Sequence, residues 1–166
     1  MAQQQITLLG CGKMGSAMLE GWLADTNLDA NFTIIEPDQS HLGWLQGQKA
    51  VLLYADCAAA IADGAPVSTM IVLAVKPQMM DGAIAGLGVM KHADCAYLSI
   101  AAGISTGWLK QRLGDTAIVI RASRIHRRRL AKALPRFMPM RPIRHVIWQA
   151  SFWRLSVRLC MFKMNP

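Results

Sequence analysis

Apolar residues along the first 122 positions recur in two alternating rhythms. Short unbroken apolar runs, of strand length, alternate with stretches whose apolar positions fall three or four apart, as on one face of a helix. Residues 5–10 read as a first strand. Residues 14–25 read as a helix whose broad apolar face carries Met14, Ala17, Met18, Leu19, Trp22 and Leu23. Phe32 to Ile35 is a second strand ending at Glu36-Pro37-Asp38, and residues 38–48 read as helical. Val51 to Tyr54 is a short third strand, followed by an Ala-rich helix at 57–62. Met70 to Val75 is almost continuously apolar, as a strand buried on both faces of a parallel sheet requires. Pro77 opens another helix, because its missing N–H is one the first turn does not use. Ala96 to Ile100 is a fifth strand, Ser105 caps a helix running to Arg112, and Ala117 to Ile120 is a sixth strand. Strand and helix alternate throughout, which predicts an α/β fold with a doubly wound, mostly parallel sheet and right-handed crossovers.

Composition divides the chain near Ala122. All ten acidic residues and all 13 glycines lie before residue 123, where the sum of formal charges is −3. Residues 123–166 hold eleven Lys and Arg and no acid, a formal charge of +11. The expected organisation is therefore a folded domain over 1–122 and an irregular or poorly folded basic tail over 123–166. A chain of 166 residues that is 53% hydrophobic is long enough to bury one ordinary core. No run approaches the roughly 20 apolar residues that span a bilayer, and Met1-Ala-Gln-Gln-Gln lacks the basic start of a signal peptide. Cys11, Cys57, Cys95 and Cys160 are scattered, with no C-x-x-C pair and no metal-ligand grouping with histidine. A reducing cytoplasm and no metal are expected.

The chemistry concentrates in Ile6-Thr-Leu-Leu-Gly10-Cys-Gly12-Lys-Met-Gly15-Ser-Ala17, where an apolar strand stops at G-x-G-x-x-G and a helix follows. Gly10 permits the bend out of the strand, Gly12 lets a pyrophosphate approach the backbone, and Gly15 lets the helix pack close to the strand. Free N–H groups at the helix start face the anion, with the helix dipole behind them. Glu36 closes the second strand 21 residues after Gly15, where an acid binds the adenosine ribose hydroxyls. A glycine-rich turn with a solvated acid would use the same letters, but the strand, helix and acid together point to a Rossmann dinucleotide site.

Ala74-Val-Lys76-Pro77-Gln lies at the carboxyl end of the fourth strand, the edge where open α/β sheets bind ligands. There Lys76 either supports a phosphate or carboxylate or is a solvated lysine at a helix start. Ser99-Ile-Ala-Ala-Gly103 ends the fifth strand in small residues, which suits a flat ring approaching the backbone or simply a tight turn. The methionines are read as core filler, and His41 and His92, in polar surroundings, receive no catalytic role.

These residues resemble the pyrroline-5-carboxylate reductase family. The resemblance rests on G-C-G-K-M-G-S-A-M-L-E-G-W at 10–22, L-A-V-K-P-Q at 73–78, L-S-I-A-A-G-I at 98–104 and V-I-R-A at 119–122, in the family's order across residues 5–122. It implies reduction of the imino acid 1-pyrroline-5-carboxylate to proline, in proline biosynthesis, with NADPH or NADH. It places Gly10, Gly12, Lys13, Met14 and Gly15 against the pyrophosphate and Glu36 near the ribose. Ala74, Lys76 and Pro77 would lie beside the cofactor, and Ala101, Ala102 and Gly103 near the nicotinamide and substrate. The chemistry needs an imine positioned and protonated, since the hydride comes from the cofactor. Glu36 leans toward NADH, and Lys13 offsets it. The family's C-terminal domain makes its dimers or larger homo-oligomers and supplies hydroxyl donors to the imino-acid pocket. Those donors have no counterpart here, so no catalytic residue is carried over.

The family continues R-A-M-P-N-T-P-A, whereas this chain reads Ala122-Ser-Arg-Ile-His-Arg-Arg-Arg. The genetic code connects the two. Joining the third base of each codon to the first two of the next permits P-N-T-P-A-A-(V/I)-G-E-G-V-T-A-L-Y-A-N-A from Ser123. From Trp153 it permits A-V-V-G-K-T-V-Y-V-Q-D-E. Met138 before Pro139 forces A, Met161 before Phe162 forces V, and Met164 before Asn165 forces E. Residues 123–166 therefore read as a frameshifted translation of a reductase gene, which leaves the chain impaired or a catalytically silent dinucleotide-binding fragment. The nucleotide sequence decides it: restoring one base near codon 123 must open these strings. The rival reading makes Arg124 to Arg129 a cationic patch and Ser151 to Leu159 an amphipathic segment, binding nucleic acid or anionic membrane. The favoured reading includes no specific nucleic acid and no membrane partner.

Overall fold

The structure is a computed structural model that describes residues 4–26 and 28–122. The expectations placed on residues 123–166, an irregular basic tail and its shifted reading frame, lie outside the described residues.

Six strands form one sheet: β1 (Gln4–Leu9), β2 (Ala30–Ile35), β3 (Val51–Tyr54), β4 (Ser68–Leu73), β5 (Lys91–Ser99) and β6 (Ile118–Arg121). Their order is β3-β2-β1-β4-β5-β6 and every pairing is parallel. Helices α1 (Lys13–Ala24), α2 (Cys57–Ala62), α3 (Met80–Ala85) and α4 (Thr106–Leu113) lie between them in the chain. The doubly wound parallel sheet read from the alternating rhythms is thus present. Strand order reverses between β1 and β4, where the chain leaves β1 for β2 on one side and later returns to pair β4 on the other. Open α/β sheets bind ligands at such a switch point, outside the carboxyl ends of the strands.

The central strands β1, β2 and β4 are buried on both faces. Met70, Ile71, Val72 and Leu73 of β4 are all buried, as the near-continuous apolar run requires. Ile6, Leu8, Phe32, Ile34, Met70 and Val72 face one core layer with Met18, Leu19 and Trp22 of α1. Leu9, Ile35, Ile71, Leu73 and Tyr97 face the other, with Met80 and Ile84 of α3 and Leu109 of α4. Helix α1 contains no β-branched residue and is rich in Ala, Met and Leu, which lose little rotamer freedom in a helix. Its Trp22 stacks on Phe32 of β2 with ring centroids 5.8 Å apart. Thr7 and Ser68, buried on adjacent strands, satisfy each other's hydroxyls.

Two expected helices differ. Residues 38–48 hold only a 3-10 turn at Gly43–Leu45. Asp38 accepts the Ser40 N–H (3.2 Å) and hydroxyl (2.6 Å), closing a local turn. Gly47 then takes φ +81, which a right-handed helix does not use. The segment opened by Pro77 begins as a 3-10 turn, Pro77–Met79, and becomes α-helical only in α3. Among the described residues no helix is long and apolar enough to cross a membrane.

Candidate dinucleotide site

The turn from β1 into α1 shows why each glycine is where it is. Gly10 has φ +87, and a Cβ there would sit 2.9 Å from Val75 Cγ1 and 3.0 Å from the Ala74 backbone. Its N–H donates to the Ile35 carbonyl at 2.9 Å, tying the bend to β2. A Cβ on Gly15 would collide with the Gly10 carbonyl oxygen and lie 3.7 Å from Ala74 Cβ. These two glycines are therefore demanded by the chain's own packing. Gly12 is different. Its backbone is extended (φ −66, ψ −166), which any residue adopts, and an added Cβ would meet nothing within 4 Å. Neither backbone angle nor neighbouring atoms demand a glycine at this position. Gly12 is the N-cap of α1 and makes no side-chain cap. The N–H groups of Lys13, Met14 and Gly15 open the helix, at the end where backbone donors lack intrahelical partners.

The Cys11 peptide groups are held by three side chains. Cys11 N–H donates to Glu36 Oε2 at 2.7 Å, just past the end of β2. The Cys11 carbonyl accepts the Ser16 hydroxyl of α1 at 2.7 Å and His41 Nε2 at 2.8 Å. A carbonyl only accepts, so Nε2 carries the proton. Half-buried Glu36 also receives the Asp38 N–H on Oε1 at 3.1 Å. The pattern of apolar and glycine residues located Glu36 but passed over Ser16 and His41. Ser16 stands inside the fingerprint, but the motif assigns no task to its hydroxyl, and the His41 hydrogen bond across 30 residues leaves no local trace. Burial pushes the Cys11 thiol above its ordinary value, a Ser16 hydrogen bond partly offsets this, and the Glu36 charge adds to the rise. A buried, protonated thiol is a packing group here, not an activated nucleophile.

Ala74 follows β4 beside this loop, its N–H bonded to the Leu9 carbonyl at 2.8 Å. Lys76 and Pro77 are exposed at the start of the 3-10 turn, on the rim of the same sheet edge. Leu73 is paired with Ser99 across β4 and β5, so residues 100–103 continue the edge next to Ala74. Ala101 is buried, Ala102 is exposed, and Gly103 takes φ +79 with open space where a Cβ would lie. Lys13 is exposed on the first turn of α1. Gly10, Gly15 and Ala74 are thus in mutual contact. Glu36 joins them through Cys11, while Lys76 and residues 101–103 share the sheet edge. A cavity of about 330 Å³ lies elsewhere, between α3 and α4, lined by Asp81, Ile84, Leu87 and Arg112 among others. It touches none of these residues.

Residues 5–103 match the family model described as NADP oxidoreductase coenzyme F420-dependent. The pyrroline-5-carboxylate reductase of Escherichia coli (strain K12) is 28% identical over 121 residues, covering 72% of this chain and 44% of that protein. The enzyme of the same name from Methanosarcina acetivorans is 28% identical over 122 residues, covering 73% and 44%. The chain spans less than half the length of these curated relatives. Among solved structures, a pyrroline-5-carboxylate reductase from Coxiella burnetii superimposes with a TM-score of 0.60 at 22% identity, covering 72% of this chain and 43% of that one. A prephenate dehydrogenase from A. aeolicus gives 0.57 at 12% identity, covering 72% and 41%. These likenesses show the fold. The relatives carry the name to which the motif resemblance points.

Proposed function

This chain belongs to the family described as NADP oxidoreductase coenzyme F420-dependent, and on that premise we propose that it grips NADPH or NADH for the reduction of 1-pyrroline-5-carboxylate to L-proline. The observation that carries the reading is Gly12: a glycine kept where neither backbone angle nor neighbouring atoms require one. A pyrophosphate against the backbone gives that position its reason.

In this reading Gly10, Gly12, Lys13, Met14 and Gly15 form the anion cradle, with helix N–H groups and the α1 dipole favouring negative charge. Glu36 lies near the adenosine ribose, Ala74, Lys76 and Pro77 beside the cofactor, and Ala101, Ala102 and Gly103 near the nicotinamide and the imino acid. The bound cofactor supplies the hydride. The chain's part is to orient it and to keep small residues at the β5 edge, so that a flat ring reaches the backbone. No described residue is assigned as the proton donor to the imine. Glu36 disfavours a 2′-phosphate, and exposed Lys13 opposes that preference, so the NADH to NADPH affinity ratio measures their balance. A cytoplasmic setting belongs to the same reading.

Fluorescence titration of the purified 166-residue chain with NADH and NADPH tests the grip, and saturable binding is expected. Binding of neither would sink the cofactor reading. Oxidation of either nucleotide with pyrroline-5-carboxylate tests the reaction separately. Little turnover is expected, because the hydroxyl donors that the resemblance implies have no counterpart in residues 123–166. That expectation favours a second reading, a nucleotide-binding module without its own chemistry, and robust turnover would remove it.

A further inference from the structure

Gly12 solves one problem and creates another. A glycine beside the pyrophosphate admits the ligand, but it also lets the peptide linking residues 11 and 12 rotate, since only glycine tolerates both signs of φ. The peptide is planar and trans, so its C=O and N–H point in opposite directions. If the unit turned over, a carbonyl oxygen would face an incoming anion in place of an N–H. The observed orientation is the other one. The Cys11 carbonyl is turned toward α1 and the segment after β2, where Ser16 Oγ (2.7 Å) and His41 Nε2 (2.8 Å) both donate to it. The Gly12 N–H is thereby directed to the opposite side. On the other side of Cys11, its own N–H is anchored to Glu36 Oε2 at 2.7 Å.

We propose that His41 and Ser16 are positioning residues that lock the peptide between residues 11 and 12, so that the Gly12 N–H is presented to the dinucleotide pyrophosphate. This rests on the cofactor reading above. It assigns a role to His41, an exposed side chain reaching back over 30 residues to one backbone oxygen. Two donors on one carbonyl make turning over costly, because both lone pairs would lose partners at once. The lock acts on the backbone, not on the charge of the ligand. It therefore serves NADH and NADPH alike, whereas a group reading the ribose would change their ratio.

The test uses the full chain. His41→Ala is expected to weaken NADH and NADPH binding by a similar factor, about three- to tenfold, the scale of one lost hydrogen bond. His41→Gln, whose amide nitrogen stands in for Nε2, is expected to recover most of it, and Ser16→Ala to fall in the same range as His41→Ala. Unchanged thermal midpoints separate this loss from unfolding. Binding that is unaltered in His41→Ala, or lost equally in His41→Gln, would overturn the lock. So would a changed NADH to NADPH ratio. The lock has a ligand-free readout too: the Gly12 amide resonance is expected to shift or split in His41→Ala and to return in His41→Gln. If the wild-type chain binds neither nucleotide, the cofactor reading fails and so does the proposed purpose of the lock. A Gly12 resonance identical in all variants would overturn the lock itself, whatever the chain binds.

Discussion

Three glycines that look alike in the letters do different work, and the difference is measurable residue by residue. A Cβ on Gly15 would run into the Gly10 carbonyl, which is backbone and cannot swing aside. Gly15→Ala should therefore destabilise the chain by about 1–3 kcal/mol, read from urea unfolding. A Cβ on Gly12 meets nothing within 4 Å, and its φ of −66 suits alanine. Gly12→Ala should change stability by less than about 1 kcal/mol, because the unfolded chain's lost freedom opposes alanine's poorer fit as the α1 N-cap. The same substitution should weaken dinucleotide binding by about tenfold or more, because the methyl occupies the approach of the pyrophosphate. A Gly12→Ala chain that binds as well as wild type would take away the observation on which the proposed function stands. At this scale the G-x-G-x-x-G spacing and Glu36 were legible, since each is a local letter at a fixed distance. His41 was not, because what makes it matter is a hydrogen bond to a carbonyl that the tertiary fold brings within 2.8 Å.

Elements were legible where one physical signal dominated. The run from Met70 to Leu73 is a strand because a sheet covered on both faces accepts nothing else there. Helix α4 is set by its cap: Ser105 Oγ accepts the Trp108 N–H at 3.1 Å, satisfying one of the first-turn donors. Ser105→Ala should cost about 1 kcal/mol, seen as a lower urea midpoint. It should also loosen the chain just before the cap, at Ala101 to Gly103, and so weaken cofactor binding by a smaller factor than Gly12→Ala. The ion pair between Arg112 of α4 and Asp81 of α3 is largely exposed and contributes little beside the cap. Residues 38–48 show the opposite case. Their apolar spacing reads as helical, yet Asp38 closes a turn on Ser40 and Gly47 takes φ +81. Side-chain-to-backbone bonds outcompeted the helix there, and they also deliver His41 to the glycine loop.

For the molecule as a whole, the sheet is one cooperative layer between two cores, and its ionisable groups report on burial. Tyr97, toward the carboxyl end of β5, is 3% exposed, and burial, with a smaller contribution from Cys95, pushes its hydroxyl up to about 12 from 10.0. The folded chain holds that proton where the unfolded chain has lost it. Stability from this group is therefore complete below about pH 10 and declines between about pH 10 and 12, by roughly 2–3 kcal/mol in all. Urea unfolding at about pH 9 and pH 11 should show the decline, and Tyr97→Phe should flatten it; an equal slope in both would show that Tyr97 is not its source. By itself the sequence determined the alternation of strands and helices, the burial of the central strands, and the glycine fingerprint with its acid. All of these follow from local periodicity or fixed spacing, which a linear chain displays directly. Only the tertiary structure decided which glycines the protein needs for itself and which one it leaves open. Only it showed that Glu36, Ser16 and His41 converge on a single peptide, because close approach between distant segments is a property of packing and has no period along the chain.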